Sequence, residues 1–239
     1  MAITLPTKKT SARRDISKIT MLLYGAPKIG KSTFCSRIDD ALFIATEPGL
    51  AYLDTFNVMC NSWRDIKETI EALKNDTTFK TVIIDTIDNY YFFCIQHVLN
   101  FYQVQYLQDL PYGKGTAAVT VEFEKSIREL QNLGKGIVFI SHAGSFDVTQ
   151  ENGQTIKRTV PTIPDKCRNI IIPLVDIIGY ATKENMIDKS GALKQVRVLN
   201  FDPSSFYEAG DRTGFLPKKI PFSYTEFSKC FMQQKETEK

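Results

Sequence analysis

Residues 25–32 read Gly25-Ala26-Pro27-Lys28-Ile29-Gly30-Lys31-Ser32, followed by Thr33, and they come directly after the apolar run Ile19-Thr20-Met21-Leu22-Leu23-Tyr24. A short apolar run closed by glycine reads as a strand buried on both faces of a parallel sheet, with a helix beginning near Gly30. The spacing G-x-x-x-x-G-K-[ST] between such a strand and helix suits a backbone that wraps around phosphate groups, because its glycines let amide N–H groups converge. Lys31 is then expected to contact the β- and γ-phosphates of ATP and Ser32 to ligate Mg²⁺. Gly25, Ala26, Pro27, Lys28, Ile29, Gly30 and Thr33 complete the expected nucleotide cradle.

Outward from this loop the chain alternates. Ala41-Leu42-Phe43-Ile44-Ala45-Thr46 is a second apolar run, ending at Glu47-Pro48-Gly49, and Thr81-Val82-Ile83-Ile84-Asp85 is a third. Between them residues 62–74 have helical spacing at Trp63, Ile66, Ile70 and Leu73, with a cap at Asn61 or Ser62. A further helix is expected over residues 119–133, with Val121, Ile127, Leu130 and Leu133 inward, before a strand at 136–141. The alternation predicts an α/β fold with a mostly parallel central sheet flanked by helices. Residues 144–166 read as a long polar loop. Residues 177–182 and 193–199 read as an antiparallel hairpin at the sheet's far edge, turning at 188–191.

Strand ends carry the candidate chemistry. Asp85 is expected to serve the Mg²⁺ from the carboxyl edge of its strand, the alternative being a helix cap. Glu47, at the same edge, is the candidate base for the attacking water, unless it is a turn acid before Pro48. His142, just past residues 138–141, reads either as a γ-phosphate sensor or as a packed histidine.

Composition narrows the classes. With 239 residues and 43% hydrophobic content, the chain can enclose one sizeable core. The apolar stretch at 170–175 is broken by Pro173, far short of the ~20 residues a membrane helix needs. The polar, basic N-terminus has no apolar core, so no secretory signal and a cytoplasmic location are expected. Cys35, Cys60, Cys94, Cys167 and Cys230 are widely spaced and only two histidines are present, which predicts reduced, buried thiols and no zinc site. The net charge of +3 is concentrated in the first twenty residues, so any DNA site has to be local. Two segments combine aromatics with cations in the manner of single-strand binding. One is 101–116, with Tyr112 and Lys114; the other is 144–168, with Phe146, Lys157, Arg158, Lys166 and Arg168. Tyrosines at such spacing also pack helix faces.

In this order, the phosphate loop, the segment 43–49, the Asp85 strand and Phe139-Ile140-Ser141-His142 resemble the RecA-like ATPase core. Together with Pro111-Tyr112-Gly113-Lys114-Gly115 they are most similar to the compact phage recombinases of the Sak-four group, often called phage nucleotide-binding proteins. The resemblance covers about residues 18–222, leaving residues 1–17 as a flexible basic arm and 223–239 as a C-terminal tail. It implies ATP-linked binding of single-stranded DNA, strand annealing during phage recombination, ring or filament assembly of identical subunits, work beside a single-strand-binding protein, and a bacterial host cytoplasm. It also implies Glu47 as the hydrolytic base and His142 as the coupling residue, where many relatives carry glutamine. A basic finger from a neighbouring subunit maps to Arg212, with Lys218 and Lys219 as alternatives. Arg212 has no lysine two positions earlier, and it also reads as a surface turn paired with Asp211.

Other functions fit less of the chain. A helicase-loader-like ATP switch that binds a replication protein remains the alternative. A small-molecule kinase would need a lid with clustered arginines, and a regulatory GTPase an N-K-x-D segment; neither is present.

Overall fold

Leu22 points to one side of its strand while Met21 and Leu23 point to the other, and both sides are buried. That two-sided burial is why the run is continuously apolar, and it places this strand at the centre of a layered fold. The computed structural model describes residues 5, 7–8, 15–150, 153–187 and 191–233. Its elements are β1 (Thr20–Gly25), α1 (Lys31–Cys35), β2 (Ala41–Ala45), β3 (Phe56–Met59), α2 (Trp63–Leu73), β4 (Thr81–Asp85), α3 (Ile87–Tyr102), α4 (Lys114–Asn132), β5 (Gly136–Thr149), β6 (Thr155–Pro161), α5 (Asp165–Leu174), β7 (Ile177–Ile187), β8 (Leu193–Asn200), β9 (Gly210–Asp211), β10 (Lys219–Pro221) and α6 (Tyr224–Gln233).

The strands lie in the order β10-β8-β7-β1-β5-β4-β2-β3, with β6 paired to β5 and β9 to β7. From β7 to β3 all neighbours are parallel, and β8 and β10 add antiparallel partners at one end. The fold is therefore α/β, a mostly parallel sheet flanked by helices with an antiparallel C-terminal hairpin, as the alternation predicts. Helices α2 to α5 cover the face of Leu22, Ile44, Ile84 and Phe139. The other face, with Leu23, Phe43, Ile83 and Ile140, is covered by α1 and α6.

Several expectations change. Residues 144–166 are no loop: β5 continues past the sheet to Thr149 and returns as β6, with Phe146 opposite Arg158 and Asp147 opposite Lys157. The projecting part of β5 is exposed, and its alternation is confined to Phe146 and Val148, too short a stretch to mark a strand. Helix α4 starts at Lys114, and its buried residues are Val119, Phe123, Ser126, Ile127 and Leu130. Val121, expected inward, is 66% exposed because it falls half a turn away from that stripe. Helix α3 has apolar residues on nearly every side, which hides its period. Residues 224–233, expected in a tail, form α6, with Phe227 and Phe231 in the core. Of the basic arm, residues 1–4, 6 and 9–14 lie outside the described residues, as does most of the β7–β8 turn at 188–190.

Candidate active site

Three strand ends meet beside the phosphate loop. At Gly25 the absent side chain lets β7 approach, since a Cβ there would stand 2.5 Å from the Ala181 carbonyl oxygen. The loop closes with the Ile29 N–H donating to the Ala26 oxygen at 3.3 Å, and Gly30 adopts φ +108°, which an L side chain rarely tolerates. Lys31 is buried and folds back over the loop, its Nζ donating to the oxygens of Gly25 at 2.9 Å and Ala26 at 3.1 Å. Burial lowers its pKa, and the nearby carboxylates Asp85, Asp88 and Glu47 oppose that shift.

Ser32 Oγ donates to Asp85 Oδ2 at 2.6 Å, tying α1 to the end of β4. Burial raises the pKa of Asp85, and the Ser32 hydrogen bond works in the opposite direction. This hydroxyl–carboxylate pair fits Mg²⁺, a hard cation that takes one or two protein oxygens and completes its shell with phosphate oxygens and water. Among the described residues there is no group of three or more His, Cys, Asp and Glu that could hold a metal ion.

Thr46 locks β2 to β4 at their ends. Its N–H donates to the Asp85 oxygen at 2.8 Å, and its hydroxyl accepts from the Thr86 N–H at 2.8 Å and donates to the Thr86 oxygen at 3.0 Å. Glu47 is thereby held one residue beyond a rigid junction. Across from it, β5 places His142 opposite Gly25 in the ladder with β1. His142 Nε2 lies 3.6 Å from Glu47 Oε1, an ion-pair contact longer than a hydrogen bond. Contact with His142 lowers the Glu47 pKa, and contact with Glu47 raises that of His142. The His142 Nδ1 is buried and has no hydrogen-bond partner among the described residues.

The structure thus brings Lys31, Ser32, Glu47, Asp85 and His142 to one edge. Arg212 is not part of that group. Its Nη2 donates to the Pro173 oxygen at 2.9 Å and its Nη1 lies 3.9 Å from Asp176 Oδ1, not beside Asp211. Asp176 in turn binds the first residue of β1, at the opposite end of that strand from the loop. Lys218 pairs with Asp202 at 3.1 Å and Lys219 with Glu184 at 2.7 Å.

The candidate DNA residues fall into separate elements. Tyr112, 98% exposed, and Lys114 stand where α4 begins, and Lys157 and Arg158 are on β6. Lys166 and Arg168 belong to helix α5 instead of a loop, and Arg168 is paired with Asp165. Two residues at the site carry no sequence signal: Thr46 resembles any strand-end threonine, and Arg197 of β8 donates from Nη1 to the Ile29 oxygen at 3.0 Å from 168 residues away.

A phosphate-cradling backbone at the end of a central parallel strand, with an acidic strand end bonded to its serine, defines a P-loop domain that binds nucleoside triphosphates. The family described as AAA domain matches residues 17–213, and the chain belongs to it. Among curated proteins, it is similar to the SPbeta prophage-derived uncharacterized protein YorG of Bacillus subtilis (strain 168), 28% identical over 128 residues. That match covers 51% of this chain and 40% of the relative, so the chain spans less than half of the relative's length. Among solved structures, the RadB recombinase is similar at 13% identity with a TM-score of 0.47, covering 81% of this chain and 84% of that one. No helix among the described residues is long and apolar enough to cross a membrane.

Proposed function

We propose that the chain is a phage-type recombinase of the Sak-four group that binds and anneals single-stranded DNA under the control of ATP hydrolysis at a subunit interface. The observation that carries this reading is the continuity of β5. The strand bears His142 against Glu47 at the phosphate loop, then runs without interruption into a solvent-facing hairpin where Phe146 lies opposite Arg158. An exposed aromatic beside a cation suits stacking on bases together with phosphate contact. The prophage origin in YorG's name agrees with a phage setting.

In hydrolysis, Lys31 exchanges the carbonyls of Gly25 and Ala26 for the β- and γ-phosphate oxygens of ATP. Glu47, kept ionised by His142, orients the attacking water and accepts its proton. The chemistry that a bound Mg²⁺ supplies beside Ser32 and Asp85 is neutralisation of charge on the phosphate oxygens. His142 passes a change at Glu47 into β5 and so to the hairpin. The basic finger comes from a neighbouring subunit in a ring or filament, as Arg212 or else Lys218 or Lys219. DNA contact is assigned to Lys157 and Arg158, with Tyr112, Lys114, Lys166 and Arg168 as further contacts; a single-strand-binding protein is the expected partner.

Turnover and gel-shift measurements on wild type and Lys31→Ala, with and without single-stranded DNA, test the proposal. Hydrolysis stimulated by DNA in the wild type, and lost in the variant, is the expected result. Turnover indifferent to DNA with no ATP-dependent shift would overturn it, and capture of a replicative helicase by a protein without annealing activity would favour the loader function.

A further inference from the structure

Residues 204–208 lie alongside β6 and widen the β5–β6 hairpin at its base. The Thr159 N–H donates to the Phe206 oxygen at 2.7 Å and the Glu208 N–H to the Thr159 oxygen at 3.2 Å, which makes Thr159 and Tyr207 parallel partners. The segment is fixed from its inner side. Tyr207 packs on Tyr180 with ring centroids 5.0 Å apart, and Tyr180 stacks on Tyr24 at 5.0 Å. The Tyr24 hydroxyl donates to the Glu208 oxygen at 2.6 Å and accepts from the Glu208 N–H at 3.0 Å. Tyr24 directly precedes Gly25 of the phosphate loop. Phe206 itself is held by its N–H, which donates to Ser204 Oγ at 3.2 Å.

Partners across a ladder share a face, and their neighbours along the chain take the other. Thr159 lies on one face with Ser145, their hydroxyl oxygens 3.4 Å apart, and with Tyr207. Arg158 and Phe206 therefore share the opposite face, together with Phe146, the cross-strand partner of Arg158. The three residues form a row across the strands in the order Phe146, Arg158, Phe206, with the backbones of the two rings two strand spacings, ~10 Å, apart. Phe146 is 54% exposed and Phe206 59% exposed. Between them, Arg158 Nε is buried and has no hydrogen-bond partner among the described residues. A buried guanidinium donor without an acceptor is costly, and an anion brought by a ligand meets that need.

We propose that Phe206 is a further single-strand-binding residue, and that the row Phe146, Arg158, Phe206 takes two bases on its rings and a phosphate between them on Arg158. The inference rests on the single-stranded DNA reading above. It adds a residue outside the hairpin and the line along which the nucleic acid runs, across the strands from β5 to residue 206. Ring faces serve any base and a guanidinium any phosphate, so the row reads no sequence. Through Glu208 and the Tyr24 hydroxyl, this surface is also tied to the strand that carries the phosphate loop, by a route that does not pass through His142.

Fluorescence anisotropy of the full chain with a labelled oligo-dT, and with an abasic strand of equal length, tests it in the presence of ATP on wild type, Phe206→Ala, Phe206→Leu and Phe206→Tyr. Phe206→Ala and Phe206→Leu are each expected to weaken oligo-dT by about tenfold, and Phe206→Tyr by less than about twofold, because only a ring face stacks. The abasic strand should bind all four proteins alike, and the salt dependence of oligo-dT binding should stay the same, since no phosphate contact is lost. Should Phe206→Ala unfold, Phe206→Leu, which keeps the apolar bulk without the ring, carries the same comparison. Wild-type affinity in Phe206→Leu would overturn the proposal. Equal losses on oligo-dT and on the abasic strand would also overturn it, as would a loss that follows a change in self-association measured by sedimentation. A wild type that binds oligo-dT no more tightly than Phe206→Ala does sinks the row alone, whereas one that does not bind oligo-dT at all sinks the DNA reading as well.

Discussion

The phosphate loop and the β5–β6 hairpin leave the sheet at the same level, where Gly25 of β1 pairs with His142 of β5, yet they are built on opposite terms. In the loop, Lys31 is buried on two carbonyls, Ser32 is bonded to Asp85, and Thr46 pins the strand ends. In the hairpin, Phe146 is 54% exposed, Lys157 faces solvent, and the backbone is held by cross-strand pairing and, at Thr159, by bonds to residues 206 and 208. A site that holds a triphosphate gains from donors fixed before the ligand arrives, since no reorganisation is then needed. A surface that follows a flexible strand of any sequence gains from exposed rings and mobile cations. His142 stands where the two regimes meet.

Four measurements would break or sharpen that contrast. The largest effect is expected for Lys31→Ala, which removes the buried cation: ATP turnover should fall by about a thousandfold, read in a steady-state phosphate-release assay. Retained turnover would mean that the loop is not the catalytic region.

Glu47→Gln should cost about a hundredfold in turnover while ATP still binds within a few-fold of wild type, because the loop remains intact and only the proton acceptor is lost. If binding and turnover fall together, Glu47 is part of the cradle.

On the hairpin side, Lys157→Glu with Arg158→Glu should weaken single-stranded DNA by about tenfold or more and reduce the salt dependence of binding, with ATP affinity unchanged. An equal effect on ATP would erase the division between the two regions.

The smallest effect is a titration. His142, raised by Glu47, should show an NMR midpoint above 6.5, and Glu47→Gln should bring it down. The sign follows from linkage. The His142 contribution to stability is present at low pH and is lost as pH rises through its raised pKa. That of Glu47 is present above its ordinary value and is lost as pH falls through its lowered one. The pair is therefore complete only between those two limits, and a midpoint at or below 6.5 in the wild type would show that the contact does not hold in solution.

Legibility followed the same contrast. β1, β2 and β4 are buried on both faces, so each appears as an unbroken apolar run, and Ser62 caps α2 at the expected position with its hydroxyl accepting from the Asp65 N–H at 3.2 Å. Hairpin β5–β6 has no buried face along its outer half and therefore read as a loop. Helix α3 is too uniformly apolar to show a period in the sequence, and α6 differs from the expected tail in that Phe227 and Phe231 supply part of the core over α1.

The sequence by itself determined the phosphate loop, its strand and the acidic strand ends, because that chemistry depends on residue types at short, fixed spacings. Only the tertiary structure decided which distant groups reach the loop. Thr46 bonding Thr86, His142 facing Glu47, Arg197 meeting Ile29 and Arg212 turned toward Asp176 all depend on strand order and register, which bring together residues from 36 to 168 positions apart. No local pattern encodes such pairings, since strand order and register emerge only when both faces of the sheet are buried together.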